Sequence, residues 1–195
     1  MLPAQGNGES QGFARQGFRL YGESYRLWQS CRVDASIREY QSADETDVLD
    51  LSLRAWAPNF ASMEHVLGPE ICTRLHGEDW RAYQSKSVKN VLADPVIPVW
   101  VGEDAHGNVV GFVAATVVDA ARGLGEIVMV AVDPSASGRG LGTALTNRAT
   151  DWMRAQGLRT AMIGTGGDLG HQAARRTYEK AGYTPIPMAR YFKAL

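Results

Sequence analysis

The sequence predicts one compact α/β (α+β) unit. Three observations carry that expectation. Three strand-like runs follow one another at Val96–Val101, Val109–Val118 and Glu126–Asp133, amphipathic helical stripes flank them, and a last strand and helix come after.

The elements are read in order from the punctuation. Met1 to about Gly17 is rich in Gly, Gln, Asn and Ser and reads as a flexible arm. Phe18, Tyr21, Tyr25 and Trp28 then recur at helical spacing, as a packing face or a partner surface, so residues 1–35 are set apart from a domain over 36–195. A short strand is expected at Ile37 to Tyr40. Ser42 and Glu45 form a capping-box pair, and Val48, Leu51, Ser52, Ala55 and Trp56 mark a helix expected to end before Pro58. Ala57 to Asp79 reads as irregular, and Trp80, Tyr83, Ser87, Val88 and Val91 mark a second helix closed by Asp94-Pro95.

The three strand runs are joined by turns at Gly102–Asn108 and Asp119–Gly125, so an antiparallel meander is expected. Beyond a glycine loop, Leu141, Ala144, Leu145, Ala149, Trp152 and Met153 give a helix stopped by Gly157. A strand at Thr160–Gly164, a helix at Ala173–Ala181 ended by Gly182, and an extended tail complete the chain.

Composition narrows the function. The 195 residues are 45% hydrophobic and 21% charged, a balance that excludes disorder throughout. A net charge of −1 leaves no basic excess for nucleic acid or anionic lipid, so neither is expected as a partner. Cys31 and Cys72 form no CxxC pair, the first residues lack the pattern of a signal peptide, and no segment has about 18 consecutive apolar residues. A cytoplasmic protein is the resulting expectation.

The chemistry concentrates after the third strand run. Gly138, Gly140 and Gly142 alternate before and within the first turn of a helix, where free amides and the helix dipole favour an anion such as phosphate. A Walker loop would need Lys before Ser or Thr after the last glycine, but Thr143-Ala144 follows Gly142. A Rossmann loop would need G-x-G-x-x-G, whereas the spacing here is G-x-G-x-G.

The stretch Ser137-Gly-Arg-Gly-Leu-Gly142 resembles the Q/R-x-x-G-x-G/A loop of the Gcn5-related N-acetyltransferase (GNAT) family, with Ser137 in the Gln/Arg place. Downstream, His171-Gln-Ala-Ala-Arg-Arg-Thr-Tyr-Glu-Lys-Ala-Gly-Tyr183 is similar to the family's N-x-x-A-x-x-x-Y-x-K-x-G-F. Ala174, Tyr178, Lys180 and Gly182 match, and His171 stands where Asn is usual.

The resemblance implies a GNAT-type fold, with a mixed, strongly twisted sheet flanked by helices, and acetyl-CoA as co-substrate. It implies that the loop Ser137, Gly138, Arg139, Gly140, Leu141, Gly142 and Thr143 holds the pyrophosphate. The backbone of Met129, Val130, Ala131 and Val132 would pair with the pantetheine amides like an added strand, and His171 and Ala174 would also meet that arm. Tyr178 is the implied acid for the leaving thiolate, and Glu126 resembles the base glutamate of the histone-acetyltransferase branch. Alternation along the strand puts Glu126, Val128 and Val130 on one face.

An amine acceptor, a small molecule in preference to a protein, is expected against Trp56, Phe60, Trp80 and Asp168, beside the acidic Glu64, Glu70, Glu78 and Asp79. His65, His76 and Glu70 lack tight ligand spacing, so no metal is expected. Asp168 and His171 suggest a triad but have no nucleophile elbow. The expected activity is therefore acetyl transfer from acetyl-CoA to a primary amine, with a non-catalytic acyl-CoA sensor or a protein N-acetyltransferase as alternatives. Pro185 and Pro187 interrupt the tail, so either one irregular strand closes the sheet or a second copy completes it as a homodimer.

Overall fold

A computed structural model describes residues 35–195. The arm and its aromatic stripe, residues 1–34, lie outside the described residues. Five strands form one mixed sheet in the order β1 (Ser36–Glu39), β2 (Val99–Glu103), β3 (Val109–Asp119), β4 (Leu124–Val132) and β5 (Thr160–Ile163). The first four pair antiparallel, and β4 pairs parallel to β5.

Both faces of the sheet are covered, which explains the unbroken apolar run at the start of β3. Val48 and Leu51 of α1 (Glu45–Leu67) and Val88 of α3 (Trp80–Ala93) pack on Val99, Val101, Phe112 and Ala114. On the opposite face, Leu141, Leu145, Ala149 and Met153 of α4 (Leu141–Ala155) pack on Trp100, Val113, Ala115 and Ile127. A short α2 (Pro69–His76) links α1 to α3, and α5 (Gln172–Lys180) packs beside α4. No helix among the described residues is long and apolar enough to cross a membrane.

The structure corrects the expected boundaries in four places. The helix expected to end before Pro58 runs through it to Leu67. Proline leaves the Arg54 carbonyl without its helical partner, a cost of about 3 kcal/mol, yet buried Val48, Leu51 and Phe60 on both sides hold one continuous helix against the rest of the fold. Ala57–Asp79 is accordingly helical apart from Gly68 and residues 77–79.

The capping device lies one residue earlier than Ser42–Glu45. The Asp44 carboxylate accepts the Gln41 N–H at 2.8 Å and two guanidinium bonds from Arg38 at 2.7 and 2.8 Å. These charge-assisted bonds draw the turn toward Asp44. Similarly, Asp94 accepts the N–H groups of Val96 and Ile97 in a turn, so β2 begins at Val99 and not at Val96. Residues 184–195 add no strand to the sheet.

A bulge interrupts β4. Ala114 faces Met129 while Ala115 faces Ile127, which leaves Val128 as the extra residue. Val128, Met129 and Ala131 consequently pack toward α1, and Val130 and Val132 toward α4. The expectation that Val128 and Val130 share a face fails because the bulge resets the alternation.

Candidate active site

β4 and β5 are in register from Leu124–Thr160 to Ile127–Ile163, and the pairing then stops. Beyond it the strands diverge around a cleft of about 450 Å³, a volume suited to a small ligand. Ile127 to Val132 line one wall, and Gly164, Thr165 and α5 line the other. On the β3 side, Asp133 N–H donates to Val110 O at 2.8 Å. Because the two edges of a strand alternate, Val130 and Val132 turn their N–H and C=O groups toward the cleft.

The end of β4 is fixed by the buried Asp133. Its carboxylate accepts Ser135 N–H at 2.9 Å, Ser135 Oγ–H at 2.6 Å and Arg54 Nε–H at 2.7 Å. Burial alone would raise this carboxyl, but the Ser135 and Arg54 bonds outweigh it and hold it below the ordinary range. The chain then turns through Gly138 and Gly140, both left-handed at φ +80° and +89°, into α4.

The N–H groups of Leu141, Gly142 and Thr143 precede the first helical bond, Ala144 N–H to Gly140 O at 3.0 Å, so they are available to an anion. The Leu141 side chain is buried in the core and leaves only its backbone to the loop. A Cβ on Gly142 would come within 3.2 Å of Thr177 Cγ2, so glycine there lets α5 approach. Ser137 Oγ–H donates to Asp133 O at 3.2 Å, turning back onto the loop.

Ala174 and Tyr178 are one helical turn apart on α5 and face the cleft, as does His171 just before the helix. Burial in the cleft wall, reinforced by Tyr183, leaves the Tyr178 hydroxyl pushed up to about 12. His171 Nδ1 meets Asp168 Oδ1 at 2.6 Å. Asp168 Oδ2 accepts Ser62 Oγ–H at 2.5 Å and Gly170 N–H at 3.1 Å. Burial would raise the Asp168 carboxyl, but the hydrogen bonds from Ser62 and His171 outweigh it and its pKa is lowered.

The lining therefore contains Met129, Val130, Ala131, Val132, Ser137, Gly142, His171, Ala174, Tyr178 and Trp56 of the expected site residues. Gly138, Arg139, Gly140, Leu141 and Thr143 stand in the adjoining loop and first turn of α4, outside the lining. Glu126 sits one position before the lining begins, in the paired part of the ladder opposite Thr116 and Met162.

Phe60 and Trp80, expected in the acceptor pocket, stack on each other at 4.5 Å between ring centroids, with His76 edge-on to Phe60 at 5.0 Å. They seal the joint between α1, α2 and α3, because the continuous helix through Pro58 turns Phe60 inward. Glu64, Glu70, Glu78 and Asp79 are likewise absent from the lining, so the described residues of the cleft wall include no carboxylate. Asp168 stands behind His171. Sequence reading missed Asn59 in the wall and the Arg54–Asp133 and Ser62–Asp168 contacts, which join residues 79 and 106 positions apart and leave no local signal.

Comparisons with known proteins bear on the family and the fold. A family model described as acetyltransferase (GNAT) family matches residues 61–183. A mycothiol acetyltransferase of Sanguibacter keddieii is 43% identical over 188 residues, covering 91% of this chain and 58% of that protein. Another, from Tsukamurella paurometabola, is 32% identical over 158 residues, covering 76% and 48%. The chain spans about half the length, or less, of the curated relatives it matches. The solved PaiA N-acetyltransferase of Thermoplasma acidophilum, in complex with coenzyme A, superposes with a TM-score of 0.56 at 14% identity, covering 75% of this chain and 87% of that one.

Proposed function

The chain belongs to the GNAT acetyltransferase family, and on that premise we propose that residues 36–195 transfer an acetyl group from acetyl-CoA to the primary amine of a small molecule. One observation carries the reading. β4 loses its partner after Ile127 and opens its backbone edge into a cleft that ends at free amides of a helix N-terminus. An extended chain of amides tipped by a pyrophosphate fits that sequence of groups, with pantetheine along Val130 and Val132 and the pyrophosphate at the loop Ser137 to Thr143.

The chemistry follows from the cleft. The acceptor arrives as an ammonium and must first lose a proton, which Glu126 accepts through intervening water. The free amine attacks the thioester carbonyl carbon, the C–N bond forms, the nitrogen gives up its second proton to a base, and the C–S bond breaks with its electron pair on sulfur. Tyr178 then delivers its hydroxyl proton to that sulfur. Trp56 on α1 presents an aromatic surface to the acceptor side. The relatives' name, mycothiol acetyltransferase, supports a small, thiol-bearing amine as the acceptor class.

Calorimetric titration with acetyl-CoA tests the site. CoA formation, read chromatographically against glucosamine, spermidine, kanamycin, S-methylcysteine amide and a peptide amino terminus, tests the reaction. Saturable binding with amine-dependent CoA formation is the expected result. Absence of binding would overturn the reading, binding without CoA formation would favour a sensor, and turnover of the peptide alone would overturn the small-molecule acceptor.

A further inference from the structure

Among the described residues, two that line the cleft are titratable, His171 and Tyr178. Acetyl transfer moves two protons off the acceptor nitrogen, and the second leaves only after the C–N bond has formed, in contact with the reacting atoms. Glu126, outside the lining, is not placed to take it directly. We propose that His171, oriented by Asp168, is the base that removes this second proton. The inference rests on the acetyl-transfer reading above and deepens it.

The geometry of the pair carries the assignment. Asp168 Oδ1, 2.6 Å from Nδ1, is placed to accept the hydrogen of that nitrogen, which in the neutral imidazole leaves Nε2 as the acceptor. Asp168 is itself held by Ser62 of α1 and by Gly170 N–H, and Arg175 donates to the carbonyls of Gly166 and Asp168 at 2.6 and 2.8 Å. The turn has no spare room. A Cβ on Gly166 would collide with both Asp168 Oδ1 and His171 Nδ1, and one on Gly170 would lie 2.6 Å from Ser62 Cβ. Asparagine, usual at the His171 position in the resemblance, could hydrogen-bond a ligand but could not accept a proton there.

In the step itself, the attacking nitrogen becomes positively charged as the C–N bond forms. His171 Nε2 takes its proton, giving an imidazolium paired with the Asp168 carboxylate. The C–S bond breaks, Tyr178 protonates the sulfur, and the imidazolium proton restores the phenol through solvent. The charged and titratable groups around His171 are Asp168 on its own turn and Arg175 and Tyr178 on α5; α1 presents neutral Ser62 and Asn59, and β4 presents apolar residues.

The test compares H171N, H171Q, D168N and E126Q, using the fastest of the five acceptors named above, with acetyl-CoA affinity measured by calorimetry for each. H171N and H171Q are expected to lower kcat by about 100-fold, within the usual range for loss of a general base, and to abolish the acid limb of the kcat–pH profile. Acetyl-CoA affinity should stay within about threefold. D168N keeps an acceptor for Ser62 and Gly170 but turns an amide donor toward Nδ1, which places the imidazole hydrogen on Nε2, so its kcat should fall about as far as in the His171 variants.

An acid limb that survives in both His171 variants and disappears in E126Q would overturn the proposal. So would His171 variants that weaken acetyl-CoA binding more than tenfold while keeping kcat at saturation, because His171 would then be a pantetheine ligand. Failure of the unaltered protein to bind acetyl-CoA would instead remove the acetyl-transfer reading itself.

Discussion

At the scale of single residues, Tyr178 presents the sharpest energetic question. Its hydroxyl is pushed up to about 12 by burial, whereas an ordinary thiol titrates near ~8.5, so full transfer to a thiolate in water would run uphill. The same dry wall disfavours the nascent thiolate, raising its basicity and narrowing the gap as the C–S bond breaks. Tyr178→Phe should therefore lower kcat by about 100-fold with little change in acetyl-CoA affinity, in keeping with the usual worth of a positioned acid. The raised value also keeps the phenol protonated far into the alkaline range. The unaltered protein should show no descending kcat limb between pH 9 and 10.5, and a limb near the ordinary tyrosine value in a stopped assay would contradict the buried-acid role. Tyr178 and Ala174 were marked by the family resemblance, and one helical turn brings both to the same cleft wall. Phe60 and Trp80 were misread because an aromatic count does not say which way a ring faces, and here the two rings face each other.

At the scale of elements, legibility followed locality. β3, β4, α4 and α5 emerge near their expected bounds because their signals, β-branched runs and glycine-stopped apolar stripes, lie within each segment. The bulge at Val128 left no such mark, since it depends on how β4 pairs with β3. Pro58 shows tertiary packing overriding a strong local signal, and it offers a measurable consequence. Pro58→Ala would restore an N–H to the Arg54 carbonyl, partly offset by greater freedom in the unfolded chain. A net gain of about 1 kcal/mol is expected, which for a chain of this size raises Tm by roughly 2–4 °C in a calorimetric scan. A fall in Tm instead would mean that the Pro58 ring, which lines the cleft, contributes more by packing than it costs the helix.

At the scale of the whole molecule, three carboxylates anchor α1 to the sheet and to the turn before α5. Asp44 links β1 to the start of α1 through Arg38, which also reaches Glu103 on β2 at 2.8 Å. Asp133 links the end of β4 to α1 through Arg54, and Asp168 links the turn before α5 to α1 through Ser62. All three carboxyls lie below their ordinary pKa, Asp44 through its bonds with Arg38, Asp133 and Asp168 because their hydrogen bonds overcome burial. A carboxyl with a depressed folded value binds its proton more readily once unfolded. Its contribution is complete above the unfolded value near ~3.9 and is lost as pH falls through the folded one. Tm should thus be level near neutrality and drop steeply below about pH 4 as these groups protonate. Arg54 is half-exposed, so its ion pair is screened, and most of the Asp133 effect should come from the Ser135 bonds that shape the loop. Asp133→Asn should be less stable than the unaltered protein at pH 7, and the two melting curves should converge toward pH 2. Melting temperatures that stay parallel across that range would mean that Asp133 does not contribute through its charge.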